Sequence, residues 1–389
     1  MSDFQGVDFY QTDRLLSDSE RKIRADVRAW VSKKAEPIMG THFEKATFPM
    51  HLIPEMAGLG LFGSTLPEEY GCPAMNYVSY GLGMQELERG DSSLRSFAAV
   101  QGALAMYSIF VYGSEEQKRY WLPRLASGEK IGCFGLTEPE AGSNPANIQT
   151  VAARKGDCWV LNGAKSWITN GTIADVAVIW AKVEGEIRGI LVEKGTKGFT
   201  SGEIKHKVSL RSSITAWLRC KDCAVSGKNI LPKSRGLASP LKCLTQARYG
   251  IAWGALGAAM DCYRTALDYS KSRIQFDRPI AGFQLVQEKL VYMLTEITKG
   301  QLLCLHLGRM MDSGNHDYLQ TSLAKRNNVA TALEVARLAR DILGANGITL
   351  RFSVIRHMCN LEAVKTYEGT HNIHTLILGE AITGLPAFR

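Results

Sequence analysis

Three short segments of this chain carry side chains whose types and spacing could do chemistry. Residues 367 to 374, Tyr-Glu-Gly-Thr-His-Asn-Ile-His, place one carboxylate, Glu368, directly before a glycine turn and a threonine suited to cap the helix that follows. A single acid is thereby presented beside the free N–H groups of a helix N-terminus, although taken alone the segment is equally a capping motif. Residues 132 to 144, Gly-Cys-Phe-Gly-Leu-Thr-Glu-Pro-Glu-Ala-Gly-Ser-Asn, join a strand to a loop rich in hydroxyls and glycine. Such a loop lets backbone N–H groups come close to a polar ring or a phosphate, and it is also what a β-hairpin looks like. Residues 165 to 170, Lys-Ser-Trp-Ile-Thr-Asn, set Trp167 and Thr169 two apart, on one side of a strand, where an aromatic face and a hydroxyl could hold a planar cofactor or simply pack a core.

Other motifs carry less. Gly58-Leu-Gly-Leu-Phe-Gly63 matches the dinucleotide pattern, but it follows a helical stretch and runs into Ser64-Thr-Leu-Pro, so it reads as a helix end and turn. Cys220-Lys-Asp-Cys223 has no second pair at zinc spacing, and His371 with His374 read as helix-face residues, so no metal site is expected. P-loop, zinc-protease and serine-hydrolase motifs are absent. The net charge of +8 is scattered, without the runs that mark a nucleic-acid arm, and suits a polyanionic small molecule as well. Nine cysteines in 389 residues read as reduced thiols of a cytosol-like compartment. No signal or transit peptide and no membrane span is visible, which points to a bacterial cytoplasm, or to a mitochondrial matrix for a processed protein.

The elements that must position these segments divide the chain into α, β and α parts. Residues 1–131 read as an N-terminal helical domain, with a capping box at Ser17 and Glu20 and an apolar face at Ile23, Val27, Trp30 and Val31. Residues 132–238 switch to short apolar or alternating runs and form a middle β domain. Residues 239–389 return to long helical periods, Ala247 to Ser272, Leu285 to Asp312 and Tyr318 to Leu343, as a C-terminal helical bundle. The fold class is α+β.

In this order along such a chain, the three segments resemble the acyl-CoA dehydrogenase family over essentially the whole length. Within it the pattern is most similar to the glutaryl-CoA branch, through Glu86-Leu-Glu-Arg-Gly-Asp-Ser-Ser-Leu-Arg-Ser96, Gly113-Ser-Glu-Glu-Gln-Lys, Ala247-Arg-Tyr-Gly-Ile-Ala-Trp-Gly, Lys325-Arg-Asn-Asn and the stretch from Asn360 to Phe388. The resemblance implies a helical N-domain, a β-barrel-like middle domain and a C-terminal four-helix bundle, assembled as a homotetramer built from dimers. It implies FAD, bordered by Phe134, Leu136, Thr137 and Ser143, covered by Trp167 and Thr169, and met again by Thr370 and Asn372. Arg273, Gln275, Phe276 and Gln284 match residues that reach the FAD of a neighbouring subunit. Electron-transfer flavoprotein is the implied acceptor.

The same resemblance makes Glu368 the base that takes the α-proton of an acyl-CoA thioester while the β-hydride passes to flavin N5. A flavin ribityl hydroxyl and the Glu368 N–H would hold the enolate oxygen. Arg95 matches the anchor of a terminal carboxylate, with Glu88, Ser96 and Tyr367 around it and Ser143 also on the substrate side. Arg248 matches an arginine near the thioester. Oxidation of glutaryl-CoA would then be followed by loss of carbon dioxide, giving crotonyl-CoA. Asn144 stands where the family usually has aspartate and Asp277 where it has glycine. Ala99, Gly102 and Ala103 stand where glutaryl enzymes tend to carry serine; smaller walls there would admit a bulkier dicarboxylyl thioester such as benzylsuccinyl-CoA, oxidised without decarboxylation. A short-chain acyl-CoA oxidase and a catalytically silent helical protein are the readings from other classes.

Overall fold

The computed structural model of the protein describes residues 7–387. It begins with helices α1 (Asp18–Trp30), α2 (Glu36–Lys45), α3 (Ile53–Gly58), α4 (Tyr77–Gly90), α5 (Ser92–Ala99), α6 (Tyr107–Tyr112) and α7 (Glu115–Ala126). The capping box that starts α1 is present, with Ser17 N donating to Glu20 Oε2 at 2.8 Å and Glu20 N donating to Ser17 Oγ at 3.3 Å. Val27 and Val31 are fully buried, while Ile23 and Trp30 pack partly buried beside them. The glycine-rich segment at 58–63 closes α3 and turns, with Gly60 and Gly63 in left-handed conformations. Residues Ser92–Tyr112 form one helical run, wide-turned between Val100 and Met106, whose single charge is Arg95. By length and composition it is apolar enough to cross a membrane, but most of it is buried in the protein's own core.

The middle part holds β1 (Gly132–Gly135), β2 (Val151–Lys155), β3 (Cys158–Thr169), β4 (Val176–Val183), β5 (Glu186–Glu193), β6 (Phe199–Glu203) and β7 (Thr215–Ser226). They make one seven-stranded sheet in the order β1-β4-β2-β3-β7-β6, with β5 on the other side of β4. β1 and β2 run parallel to successive parts of β4, and the remaining pairs are antiparallel. The sheet curls around its own apolar cluster, which includes Leu161, Ile179, Ile190, Val192 and Leu218. It does not close: β5 and β6 remain edges. Cys220 and Cys223 both point into that cluster, brought to one side of β7 by an irregularity at Asp222, which has φ 50°.

The last part comprises α8 (Ala238–Ser272), a hairpin of β8 (Ile274–Gln275) and β9 (Arg278–Pro279), then α9 (Gln284–Asp312), α10 (Tyr318–Ile342), α11 (Val354–Thr366) and α12 (His371–Thr383). α8 is buried on all sides from Gln246 to Tyr263, and the helices before and after the sheet share one hydrophobic core around it. Close packing needs small residues here. A Cβ on Gly257 would lie 1.8 Å from the Gln85 carbonyl oxygen, so α4 crosses α8 with its backbone almost touching.

Candidate active site

Glu368 sits on a tight loop between α11 and α12. Glu368 and Gly369 both have left-handed backbones, φ 52° and 89°, and Thr370 caps α12 by accepting from Ile373 N at 3.1 Å. A side chain at Gly369 would meet His374 Nε2 at 2.8 Å, so both conformation and space require glycine there. For Glu368 the left-handed backbone is strained by roughly 1–2 kcal/mol. Its carbonyl accepts from Arg248 Nε at 2.7 Å, and the carbonyls on either side, of Tyr367 and Gly369, accept from Lys325 Nζ at 3.0 and 2.7 Å. Arg248 therefore holds the backbone of the acid. Burial pushes the Glu368 carboxyl above the ordinary carboxylate range, with the charges of Arg95, Arg248 and Lys325 opposing that rise.

Arg95 and Glu88 are both fully buried, paired through Nε and Oε2 at 2.6 Å. Arg95 also donates from Nη2 to the Tyr367 hydroxyl and lies over that ring, 5.5 Å from its centroid. Ser96 is buried next to Arg95 on α5. Arg95 Nη1, Glu88 Oε1, Glu368 Oε2 and the Tyr80 hydroxyl are all enclosed and make no hydrogen bond in the protein. Buried polar atoms are rarely left unpaired, so these four, one of them the guanidinium's own, are groups that a polar ligand could satisfy. Tyr80 was not foreseen from the sequence; it lies two helical turns before Glu88 on α4, and the charges of Arg95 and Glu368 both act on it.

The ion pair depends on a glycine of α8. A Cβ on Gly254 would stand 2.1 Å from Glu88 Oε2 and 3.1 Å from Arg95 Nε. Gly254→Ala is therefore expected to displace the ion pair and cost about 1–3 kcal/mol by overpacking. The check is the thermal unfolding midpoint; an unchanged midpoint would show that Glu88 has room to move.

Phe134, Leu136, Thr137, Ser143, Trp167 and Thr169, expected around a flavin, lie on β1, the loop after it and the end of β3. Phe134 and Leu136 are buried, and Phe134 packs 5.8 Å from the Trp180 ring. The buried Lys165 of β3 donates to Leu136 O at 3.1 Å and to Glu138 Oε1 at 2.8 Å, and Ser166 N donates to Thr137 O at 2.9 Å. These bonds pin the loop after β1 to β3, a function of Glu138 and Lys165 that their spacing did not reveal. Trp167 and Thr169 are not the simple alternating pair expected, because β3 bulges between Lys165 and Ile168. Trp167 takes φ 63° and stands 61% exposed, while Thr169 is half-buried. A bulge that re-aims a large aromatic ring outward is a common way to present it to a ligand. Ser143 is exposed, and Asn144 accepts from Ala146 N at 3.3 Å, which a neutral amide does as well as the usual aspartate.

This sheet end is tied to the base. Asn170 N donates to Ile214 O at 2.9 Å, and the loop before Ile214 is held to α11 by Leu210 N donating to Asn360 Oδ1 at 2.8 Å. Asn360 Nδ2 in turn donates to Asp91 at 3.1 Å, the N-cap of the helix that carries Arg95. Thr370 is half-buried and Asn372 exposed at the start of α12. Arg273, Gln275, Phe276 and Gln284 lie together and exposed around the β8–β9 hairpin. Phe276 and Asp277 form its two-residue turn at φ 50° and 61°, so Asp277 occupies a left-handed position where glycine is the easier residue.

A Cβ on Gly102 would lie 2.6 Å from Gly63 N, so this position is small because backbone crosses it. Ala103 lines, with Tyr80, Gly102 and Tyr107, a cavity of about 10 Å³, room for roughly one water. Among the described residues no group of His, Cys, Asp or Glu could hold a metal ion. His374 is buried, and desolvation pushes its imidazole down to about 3, which keeps it neutral beneath Gly369. A separate cleft of about 420 Å³ between α2, α8 and α11 is polar, but Arg89, Asp261 and Arg356 within it are already paired inside the protein.

The chain matches three models of the acyl-CoA dehydrogenase family: the N-terminal domain over residues 17–129, the middle domain over 133–223 and the C-terminal domain over 234–383. It is similar to a glutaryl-CoA dehydrogenase structure from Mycobacterium smegmatis at 52% identity and TM-score 0.97, covering 99% of this chain and 100% of that one. A glutaryl-CoA dehydrogenase of the same organism solved in complex with FADH2 matches at 51% identity and TM-score 0.97, covering 98% of this chain and 99% of that one. The human mitochondrial short-chain specific acyl-CoA dehydrogenase is 32% identical over 381 residues, 96% of this chain and 91% of that protein. With all three domain models in register with the helical, sheet and helical parts, this chain belongs to the acyl-CoA dehydrogenase family, the FAD-dependent oxidoreductases that act on a CH–CH bond.

Proposed function

We propose that this protein oxidises glutaryl-CoA and releases carbon dioxide, giving crotonyl-CoA. The observation that carries the reading is Arg95, a fully buried guanidinium with Nη1 unpartnered, set beside Tyr367 and the Glu368 carboxyl. A monocarboxylic acyl chain has nothing to offer that charge, whereas the terminal carboxylate of a dicarboxylyl thioester would satisfy it. The similarity to glutaryl-CoA dehydrogenases at 52% identity supports the same substrate.

Bound FAD supplies the acceptor for the β-hydride. Phe134, Leu136, Thr137, Ser143, Trp167, Thr169, Thr370 and Asn372 are the residues of this chain that would hold it, and the outward-turned Trp167 fits that task. Arg273, Gln275, Phe276 and Gln284 would complete the site of a neighbouring protomer, which makes a homotetramer the working form. Their exposure on one hairpin supports this, as do the exposed Leu285, Val291 and Ile348. Electron-transfer flavoprotein would take the electrons away.

Glu368 performs both proton transfers. As a carboxylate it removes the α-proton, while its own backbone N–H, as the family resemblance implies, would hold the thioester oxygen where enolate charge develops. Loss of the β-hydride leaves glutaconyl-CoA, still held through its terminal carboxylate by Arg95. The bond from the γ-carbon to that carboxylate then breaks, carbon dioxide leaves, and the electron pair is delocalised towards the thioester. Glu368, now protonated, returns its proton to the γ-carbon, so no other acid is required. A carboxyl raised above its ordinary range suits both the acceptance and the return.

The direct test is anaerobic addition of glutaryl-CoA to the yellow protein, following flavin bleaching and the acyl product by mass. Bleaching with crotonyl-CoA and carbon dioxide is the expected result. Bleaching with glutaconyl-CoA would mean that the carboxylate is held but not released, and an unchanged flavin spectrum would refute glutaryl-CoA as the substrate.

A further inference from the structure

Lys325 is a buried amine that the chemistry above does not use. It stands on α10, 1% exposed, and its Nζ donates to Tyr367 O at 3.0 Å and to Gly369 O at 2.7 Å. These are the carbonyls immediately before and after the Glu368 peptide. The loop between them holds two consecutive left-handed residues, one of them not glycine. Such a backbone persists only when its surroundings over-determine it. Arg248 holds the middle carbonyl from α8, so three successive carbonyl oxygens accept from two cations on two different helices.

We infer that Lys325 is a positioning residue that clamps the Glu368 loop in its left-handed turn and, through its charge, keeps the Glu368 carboxyl available as a base. The inference rests on Glu368 being that base. The ammonium is compact and has three donors, which lets one group span two carbonyls two residues apart. It is the right chemistry for a clamp and a costly group to bury for any other purpose. Desolvation pushes its pKa down to about 7, with Arg248 and Arg95 in the same direction and Glu368 opposing. The groups facing it are Glu368 and Tyr367 on the loop, Arg248 from α8, Arg95 from α5, and His371 and His374 from α12. Removing its positive charge lets the carboxyl rise further, so more of the base is protonated at a given pH.

The test compares Lys325→Met, which removes charge and donors, with Lys325→Gln, which removes the charge but keeps an N–H2 donor on a shorter stem, and Lys325→Arg, which keeps both, all as holoenzymes with glutaryl-CoA. Lys325→Met is expected to lower kcat by about 10- to 100-fold through misplacement of the base, with KM changed much less. The acid limb of its kcat profile should move to higher pH, and hydrogen exchange of the 366–371 segment should accelerate. Lys325→Gln should share the shift of the acid limb, and Lys325→Arg should return it towards the parent. An unmoved acid limb in both neutral variants, or unchanged exchange in Lys325→Met, would overturn the inference. If Lys325→Met does not fold, the acid limbs of Lys325→Gln and Lys325→Arg decide it alone. The exchange measurement does not depend on turnover, so it judges the clamp even if Glu368→Gln stays active and the base assignment fails.

Discussion

Glu368→Gln should keep the yellow colour and bind the thioester while its dehydrogenation rate falls by about three to four orders of magnitude. The amide matches the carboxylate in size and can still sit in the left-handed turn, whose carbonyls are held by Arg248 and Lys325 independently of the side chain. What it cannot do is accept the α-proton of a thioester, a very weak acid whose removal needs a base in a dry site. The carboxyl is raised by burial, so the parent's kcat should decline on the acid side at a pH above the ordinary glutamate range. Below that pH the base is already protonated. Rapid-reaction flavin bleaching under anaerobic conditions measures the step directly. Near-normal bleaching in Glu368→Gln would remove Glu368 from the reaction, and an acid limb at an ordinary carboxylate pKa would contradict its enclosure.

Arg95→Ala should weaken turnover of glutaryl-CoA relative to butyryl-CoA by about 2–5 kcal/mol in kcat/KM, the range for loss of one partner of a buried hydrogen-bonded charge pair. The comparison between substrates matters more than the loss itself. Arg95 is fully buried against Glu88, so its removal leaves that carboxylate enclosed and uncompensated, and general stability will suffer as well. Adding Glu88→Gln removes the stranded charge, and the double variant should regain butyryl-CoA turnover while glutaryl-CoA remains poor. Arg95 also opposes the rise of the Glu368 pKa, so the acid limb should move to higher pH in either variant. Equal losses on both substrates would make Arg95 a structural cation and return the terminal carboxylate to an unassigned site.

The two predictions meet in one stretch of wall. Tyr367 accepts from Arg95 and is followed directly by Glu368, so the residue bonded to the group that would grip the far end of the substrate adjoins in the chain the base that would take its α-proton. A dicarboxylyl thioester bound through Arg95 would be aligned before any proton moves. The Gly254 backbone leaves Glu88 and Arg95 their space, and Asp91, which caps the Arg95 helix, is bonded to Asn360 of α11, the helix that ends at the base.

Much of this arrangement is written in local sequence, because local physics governs it. The Ser17 and Glu20 capping box, the Thr370 cap, the turn at Gly369 and the long apolar periods of α9 and α10 depend on residues three or four apart. The sequence alone therefore indicated the capped starts of α1 and α12, whereas the helix expected from Ala247 begins at Ala238, where no side-chain cap marks its start. It also singled out the lone acid before a helix. Its resemblance to a family then assigned the arginine and the flavin segments.

Only the tertiary structure decided what depends on distant chain meeting in space. The period of a strand puts Trp167 and Thr169 on one side, yet a bulge set by pairing with β7 turns the tryptophan outward. Gly102 looks like a missing side chain in a pocket, but the Gly63 backbone lies against it, and no spacing in either segment announces that contact. Lys325 sits in an ordinary helical run more than forty residues before the loop it holds, and Tyr80 is one of two tyrosines on α4 until the fold buries its hydroxyl unpaired near Arg95 and Glu368. Periodicity states which face of a helix is buried. It is silent about what that face meets, because a buried polar group has its meaning only in the partner that another element brings to it.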